Sequence, residues 1–220
     1  MQENTERLTL SDGRSVTSLW TPATNGSTSW TFVYAPGAGS NVHDPFGALA
    51  ARDLAPTGIA TLRFQFPYSE AGRKAPDREP VLEETWRAAI DNARSRGGRL
   101  IVGGRSMGGR IASHVVAQGS SVDALALFAY PLHAPGRPER RRDAHLEKIG
   151  VPTLFCSGTN DAFASPDELQ GLTTFVPGSR LHLLEGADHG FAVPKSSGRT
   201  RHDVWIEAVG ELRDWLASLT

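Results

Sequence analysis

Residues 103–110 read GGRSMGGR, directly after the apolar run Leu100-Ile101-Val102. A glycine-rich turn leaving a strand serves one of two chemistries. It cradles phosphate oxygens with backbone N–H groups, or it holds one serine out as a nucleophile. A P-loop requires GxxxxGK followed by Ser or Thr, and no lysine lies near this turn. The dinucleotide pattern GxGxxG fails in both registers, because Arg105 and Ser106 stand where glycine is required. The pattern that fits is GxSxG, formed by Gly104, Arg105, Ser106, Met107 and Gly108. In that turn the serine occupies a strained conformation at a strand-to-helix junction, which lifts its hydroxyl above the sheet. The residues two before and two after are expected to crowd each other, so both must be small. The following helix aims its N-terminal dipole, and the N–H of Met107, at negative charge developing nearby.

A bare match to five positions is common in a chain with 23 glycines, so its surroundings decide its meaning. The apolar segments Trp30–Ala35, Ile59–Phe64, Leu100–Gly103, Ala124–Tyr130, Thr153–Ser157 and Leu181–Leu184 have the length of buried strands. Residues 6–10 and 15–20 suit a hairpin around Ser11-Asp12-Gly13. Between the apolar runs, helices are expected from Asp44-Pro45 to about Leu54, over 80–96, over 106–118 and over 202–219. Such alternation predicts an α/β fold, a mostly parallel sheet with helices on both faces, as one domain over residues 1–220. Composition fits, with 39% hydrophobic and 21% charged residues. A net charge of −1 gives no basic field for nucleic acid. The polar start MQENTERLTL is unlike a signal peptide, and no apolar run approaches the roughly 20 residues of a membrane span. With the single cysteine Cys156, read as packing, these features predict a cytoplasmic protein.

A serine hydroxyl is nearly inert at neutral pH, so it needs a base, and the base needs an orienting carboxylate. The strand-end loops after the elbow supply both in the order acid then histidine. Ser157-Gly158-Thr159-Asn160-Asp161 contains Asp161, and Glu185-Gly186-Ala187-Asp188-His189-Gly190-Phe191 contains His189. Asp167 is the competing acid, but Ser165-Pro166-Asp167-Glu168 reads as a capping box and gives Asp167 a helix-dipole role. Asp188 neighbours His189 and is poorly placed to reach its ring. His114 and His182 fall inside an expected helix and buried strand, His145 and His202 in polar segments expected to be solvated. His43 and His133 follow strand ends and remain candidates for the cleft wall. No histidine pair has metal-ligand spacing, so no metal is expected. The second oxyanion donor is sought in Tyr34-Ala35-Pro36-Gly37-Ala38-Gly39-Ser40, where small residues let backbone N–H groups approach a substrate oxygen. Ala38 is the first choice and Gly39 the alternative.

APGAGS, FPY at 66–68, GGRSMGGR, YPLHAPG at 130–136, GTND and GADHGF together resemble small α/β-hydrolase-fold proteins of the dienelactone-hydrolase-like group. The likeness is nearest to a minimal branch that also has testis-expressed vertebrate relatives, and runs from about residue 30 to the end of the chain. The resemblance implies Ser106 as nucleophile, Asp161 as acid and His189 as base, with no cofactor. Two departures stand out. Many relatives open the oxyanion loop with His-Gly where this chain has Pro36-Gly37, and dienelactone hydrolases proper carry cysteine where this chain has Ser106. The interval 131–151 is too short for a bulky lid, so an open cleft is expected. It contains Arg137, Arg140, Arg141 and Arg142, which read as a solvated face or, with Arg105, as attraction for acidic substrates. The expected activity is hydrolysis of small esters or thioesters. Peptidase activity through the same triad, or a non-catalytic binding protein on the same fold, are the alternatives.

Overall fold

Apolar runs without polar alternation need cover on both faces. The computed structural model, which describes residues 3–26 and 28–219, supplies that cover. Among the described residues, eight strands form one sheet: β1 (Asn4–Thr9), β2 (Ser15–Thr21), β3 (Trp30–Ala35), β4 (Ile59–Phe64), β5 (Arg99–Arg105), β6 (Ala124–Phe128), β7 (Thr153–Gly158) and β8 (Ser179–Leu184). Their order is β1-β2-β4-β3-β5-β6-β7-β8. The hairpin β1–β2 and its junction with β4 are antiparallel, whereas every pairing from β4 through β8 is parallel. The helices are α1 (Pro45–Leu54), α2 (Pro67–Glu70), α3 (Glu79–Arg94), α4 (Met107–Ala117), α5 (Pro166–Thr173) and α6 (Arg201–Ser218). This is an α/β-hydrolase fold.

Two apolar layers hold the sheet between its helices. One joins Val33, Leu62, Val102, Leu125 and Phe155 to Trp86 and Ile90 of α3, Ile111 and Val115 of α4, and Leu169 of α5. The other joins Phe32, Ile101, Ala126 and Leu154 to Phe46 of α1 and Val204, Leu212 and Trp215 of α6. Strand residues therefore bury both faces, which is why β3, β4, β6 and β7 are apolar without a period of two. Asp44 caps α1 as its sequence predicts, accepting from Gly47 N at 2.9 Å and from the Tyr34 hydroxyl at 2.6 Å.

In the sheet and the loops around it, the structure departs from the sequence expectations at Ala129, His182 and His145. Strand β6 ends at Phe128 rather than Tyr130, because Ala129 turns to φ +50. His182 is partly exposed, since β8 lies at the sheet edge, and its ring pairs with Glu207 at 2.9 Å. His145 is not solvated: its Nε2 lies 2.7 Å from Ser113 Oγ and its ring packs on His114 at 4.1 Å. Polar neighbours in sequence concealed that packing. Between β6 and β7, the only helical element among the described residues is the 3-10 turn Leu146–Lys148, so no lid domain is inserted there. Among the described residues no helix is long and apolar enough to cross a membrane.

Candidate active site

The elbow forms because glycine stands where no other residue fits. A Cβ at Gly104 or Gly108 would fall inside the carbonyl of Ala35 at the end of β3, and one at Gly103 inside that of Ala126 on β6. The small residues are thus required mainly by neighbouring strand ends, whereas the sequence suggested that Gly104 and Gly108 crowd each other. The close contact within the elbow is instead Gly109, whose Cβ would lie 2.5 Å from the Gly104 carbonyl. Ser106 takes φ +51 and ψ −118 as the residue preceding α4. Its N–H donates to Phe128 O at 2.8 Å, and Trp86 Nε1 donates to Gly108 O at 3.1 Å. A buried tryptophan on α3 therefore anchors the first turn of the elbow helix.

Three loops at the carboxyl ends of β5, β7 and β8 bring Ser106, Asp161 and His189 together. Ser106 Oγ lies 2.9 Å from His189 Nε2, and His189 Nδ1 lies 2.8 Å from Asp161 Oδ2 and 3.0 Å from Oδ1. An ionised carboxylate only accepts, so Nδ1 is the donor and Nε2 presents its lone pair to Ser106. Asp161 is buried and also accepts from Phe163 N at 2.8 Å. The Phe163 ring stacks on the imidazole at 4.0 Å, clamping the ring plane. Asp188 faces away, its Oδ1 accepting from Gly190 N and Ala192 N at 2.8 Å each, and so shapes the loop that carries His189. Asp167 stands in the first turn of α5 behind the Ser165–Glu168 capping box.

The Pro36–Ser40 loop faces the elbow. A Cβ on Gly37 would sit 3.5 Å from Ser106 Cβ, so the loop runs directly over the serine. Gly39 N donates to the hydroxyl of buried Tyr68 at 3.2 Å, and Ser69 Oγ donates to Ser40 O at 3.0 Å. With Gly39 so engaged, Ala38 is the loop residue that joins Gly37 and Met107 along the cleft wall. Met107 N opens α4, where no preceding turn of helix supplies an acceptor. The short helix α2 that carries Tyr68 and Ser69 escaped the sequence reading, and only Pro67 in a first-turn position signalled it. Phe163 was missed as well, since aromatic stacking on a distant ring leaves no local pattern.

The cleft holds about 620 Å³ and is walled by Gly37, Ala38, Ser106, Met107, Phe163 and His189, with Arg105, Arg110, Arg142 and Glu79 at its polar side. His43 is exposed, and His133 is buried with its Nε2 3.2 Å from Glu168, so it ties its loop to the cap of α5. Burial pushes the thiol of Cys156 well above its usual range, in keeping with a packing role. Glu79, Glu83 and His114 bring potential ligand atoms within 4.8 Å of one another. Arg110 Nη1 holds Glu79 Oε2 at 3.0 Å and Gln118 Nε2 donates to Glu83 Oε1 at 3.0 Å, so the cluster is already a satisfied ionic network.

The sequence model of a family described as alpha/beta hydrolase domain matches residues 28–217. Among solved structures, the chain is similar to an alpha-beta serine hydrolase homologue from Coxiella burnetii, with a TM-score of 0.77 and 18% identity over 96% of this chain and 98% of that one. It is similar to dienelactone hydrolase from Anabaena variabilis, at TM-score 0.77 and 19% identity over 99% and 97% of the two chains. A lidless α/β serine hydrolase from Xanthomonas campestris gives 0.75 and 19% over 98% and 95%. At these identities the likeness is one of fold.

Proposed function

The chain belongs to the alpha/beta hydrolase domain family, and from that premise we propose that it is a serine hydrolase of small carboxylic esters or thioesters, working as one domain over residues 1–220. The observation that carries this reading is the unbroken relay from Ser106 Oγ through His189 to Asp161, with links of 2.9 and 2.8 Å. Ser106 attacks the substrate carbonyl while His189 Nε2 takes its proton. Asp161 holds the ring in the required tautomer and stabilises the imidazolium that forms. The N–H groups of Met107 and Ala38 receive the developing oxyanion, helped by the N-terminal dipole of α4. His189 then protonates the leaving group, and water, activated by the same imidazole, releases the acyl group from Ser106.

The residues of this site need no cofactor for that sequence of steps. Partial exposure of Ser106 and His189 at an open cleft favours turnover over a binding protein that merely keeps the fold. A chromogenic short-chain ester tests the reading. Rapid mixing should give a burst of alcohol product equal to the enzyme concentration, followed by slower steady turnover, and Ser106→Ala should give neither. Equal turnover by Ser106→Ala and the wild-type chain would overturn it. Thioester and peptide substrates in the same assay separate the acyl-transfer classes.

A further inference from the structure

The polar side of the cleft is cationic, and its charges are not alike. Arg110 is matched, since Glu79 Oε2 holds its Nη1 at 3.0 Å and Glu79 also faces His114 Nδ1 at 3.0 Å. Arg105 and Arg142 have no carboxylate partner among the described residues, yet both line the cleft with Ser106. Arg105 Nε is buried without a hydrogen-bond acceptor, an uncommon and costly state for a charged donor. Arg142 is held in place through its backbone: its N–H donates to Leu132 O at 2.8 Å, and its carbonyl accepts from the Tyr130 hydroxyl at 2.6 Å. The other arginines of that segment are occupied or turned elsewhere. Arg141 pairs with Asp143 at 2.6 Å, Arg140 with Glu139 at 3.7 Å, and Arg137 lies outside the cleft. Of that basic run, Arg142 is the member that lines the cleft with Ser106; it is exposed and on its other side borders Arg137 and Arg140.

We propose, building on the serine hydrolase reading, that Arg105 and Arg142 bind a carboxylate carried by the substrate, so that the preferred substrates are esters or thioesters of anionic small molecules. The oxyanion of the reaction is already served by backbone N–H groups, which leaves these two guanidinium groups for a second negative centre. A planar carboxylate matches the donor fork of arginine. The charge is local, because the chain as a whole carries −1. The second position of the elbow motif thereby acquires a role, with Arg105 selecting the substrate next to the serine that reacts.

Matched esters test the proposal. The 4-nitrophenyl monoester of glutaric acid carries a free carboxylate, and its methyl-capped analogue does not. For the wild-type chain kcat/KM on the anionic ester should exceed that on the capped one by about tenfold or more, as expected for charge-assisted hydrogen bonds. Arg142→Gln and Arg105→Gln should bring the ratio towards one, mainly through KM on the anionic ester, and Arg137→Gln should leave it unchanged. A wild-type ratio near one, or equal losses on both esters in either variant, overturns the proposal. Should neither ester turn over, protection gives the same decision: glutarate, but not glutaramide, should slow labelling of Ser106 by a fluorophosphonate. Labelling without such discrimination defeats this proposal alone, whereas a folded chain that is never labelled defeats the reading on which it rests.

Discussion

Ser106 holds a backbone conformation that side chains rarely adopt, with φ +51 and ψ −118. Such strain costs on the order of 1–3 kcal/mol and persists only because the surroundings enforce it. Glycine relieves it, so Ser106→Gly should be more stable than Ser106→Ala by about 1 kcal/mol in urea unfolding, with both inactive. Equal stabilities would mean that the elbow stores no strain. Asp161→Asn tests the orienting role, since an amide can present an N–H to Nδ1 and reverse the tautomer. It should lower kcat by about 10⁴-fold while circular dichroism and Ser106 geometry stay unchanged. At this scale the sequence was most readable. Ser106, Asp161 and His189 are polar residues in small-residue loops after apolar runs, and the capping box Ser165-Pro166-Asp167-Glu168 separates Asp161 from Asp167. What could not be read was contact: Phe163 against the imidazole, Trp86 on Gly108, and Tyr68 on Gly39 all join residues far apart in sequence or remote from any motif.

Short elements carry the support of the site. Helix α2 fastens the Pro36–Ser40 loop through Tyr68 and Ser69, in a chain that has Pro36 rather than histidine before Gly37. Removing the hydroxyl in Tyr68→Phe should lower kcat by about tenfold with little change in KM, because the loop loses an anchor used most when the oxyanion forms. A change confined to thermal stability would show that Tyr68 only packs. Beneath the elbow helix, burial and the neighbouring His114 and Arg110 push His145 down to about 4 from an ordinary 6.5. The unfolded chain thus takes up this proton first. Stability contributed by neutral His145 is intact above about pH 6.5 and is lost as pH falls towards about 4. Urea unfolding at pH 7 and pH 4.5 should show a smaller acid loss for His145→Gln than for the wild-type chain, and identical losses would refute that. Its neighbours in sequence, Asp143, Ala144, Glu147 and Lys148, look like a surface loop, which is why the burial of His145 was illegible.

Across the molecule, parallel pairing places the carboxyl ends of β3, β5, β7 and β8 on one side of the sheet, and each contributes one part of the site. Apolar runs of strand length, separated by helix-forming stretches, made this architecture legible. The edge position of β8 and the extent of β6 were not, because sheet order and a backbone turn at Ala129 leave no periodic signal. A neutral ester carries no net charge for the protein's field to steer, so kcat/KM on it should change little with ionic strength. On the proposed reading, fold and loops convert an ordinary hydroxyl at Ser106 into a nucleophile. Mass spectrometry after exposure to a fluorophosphonate probe measures that directly. A single adduct should form on Ser106 and disappear in His189→Ala, whereas a folded wild-type chain carrying no adduct would show that Ser106 is not activated.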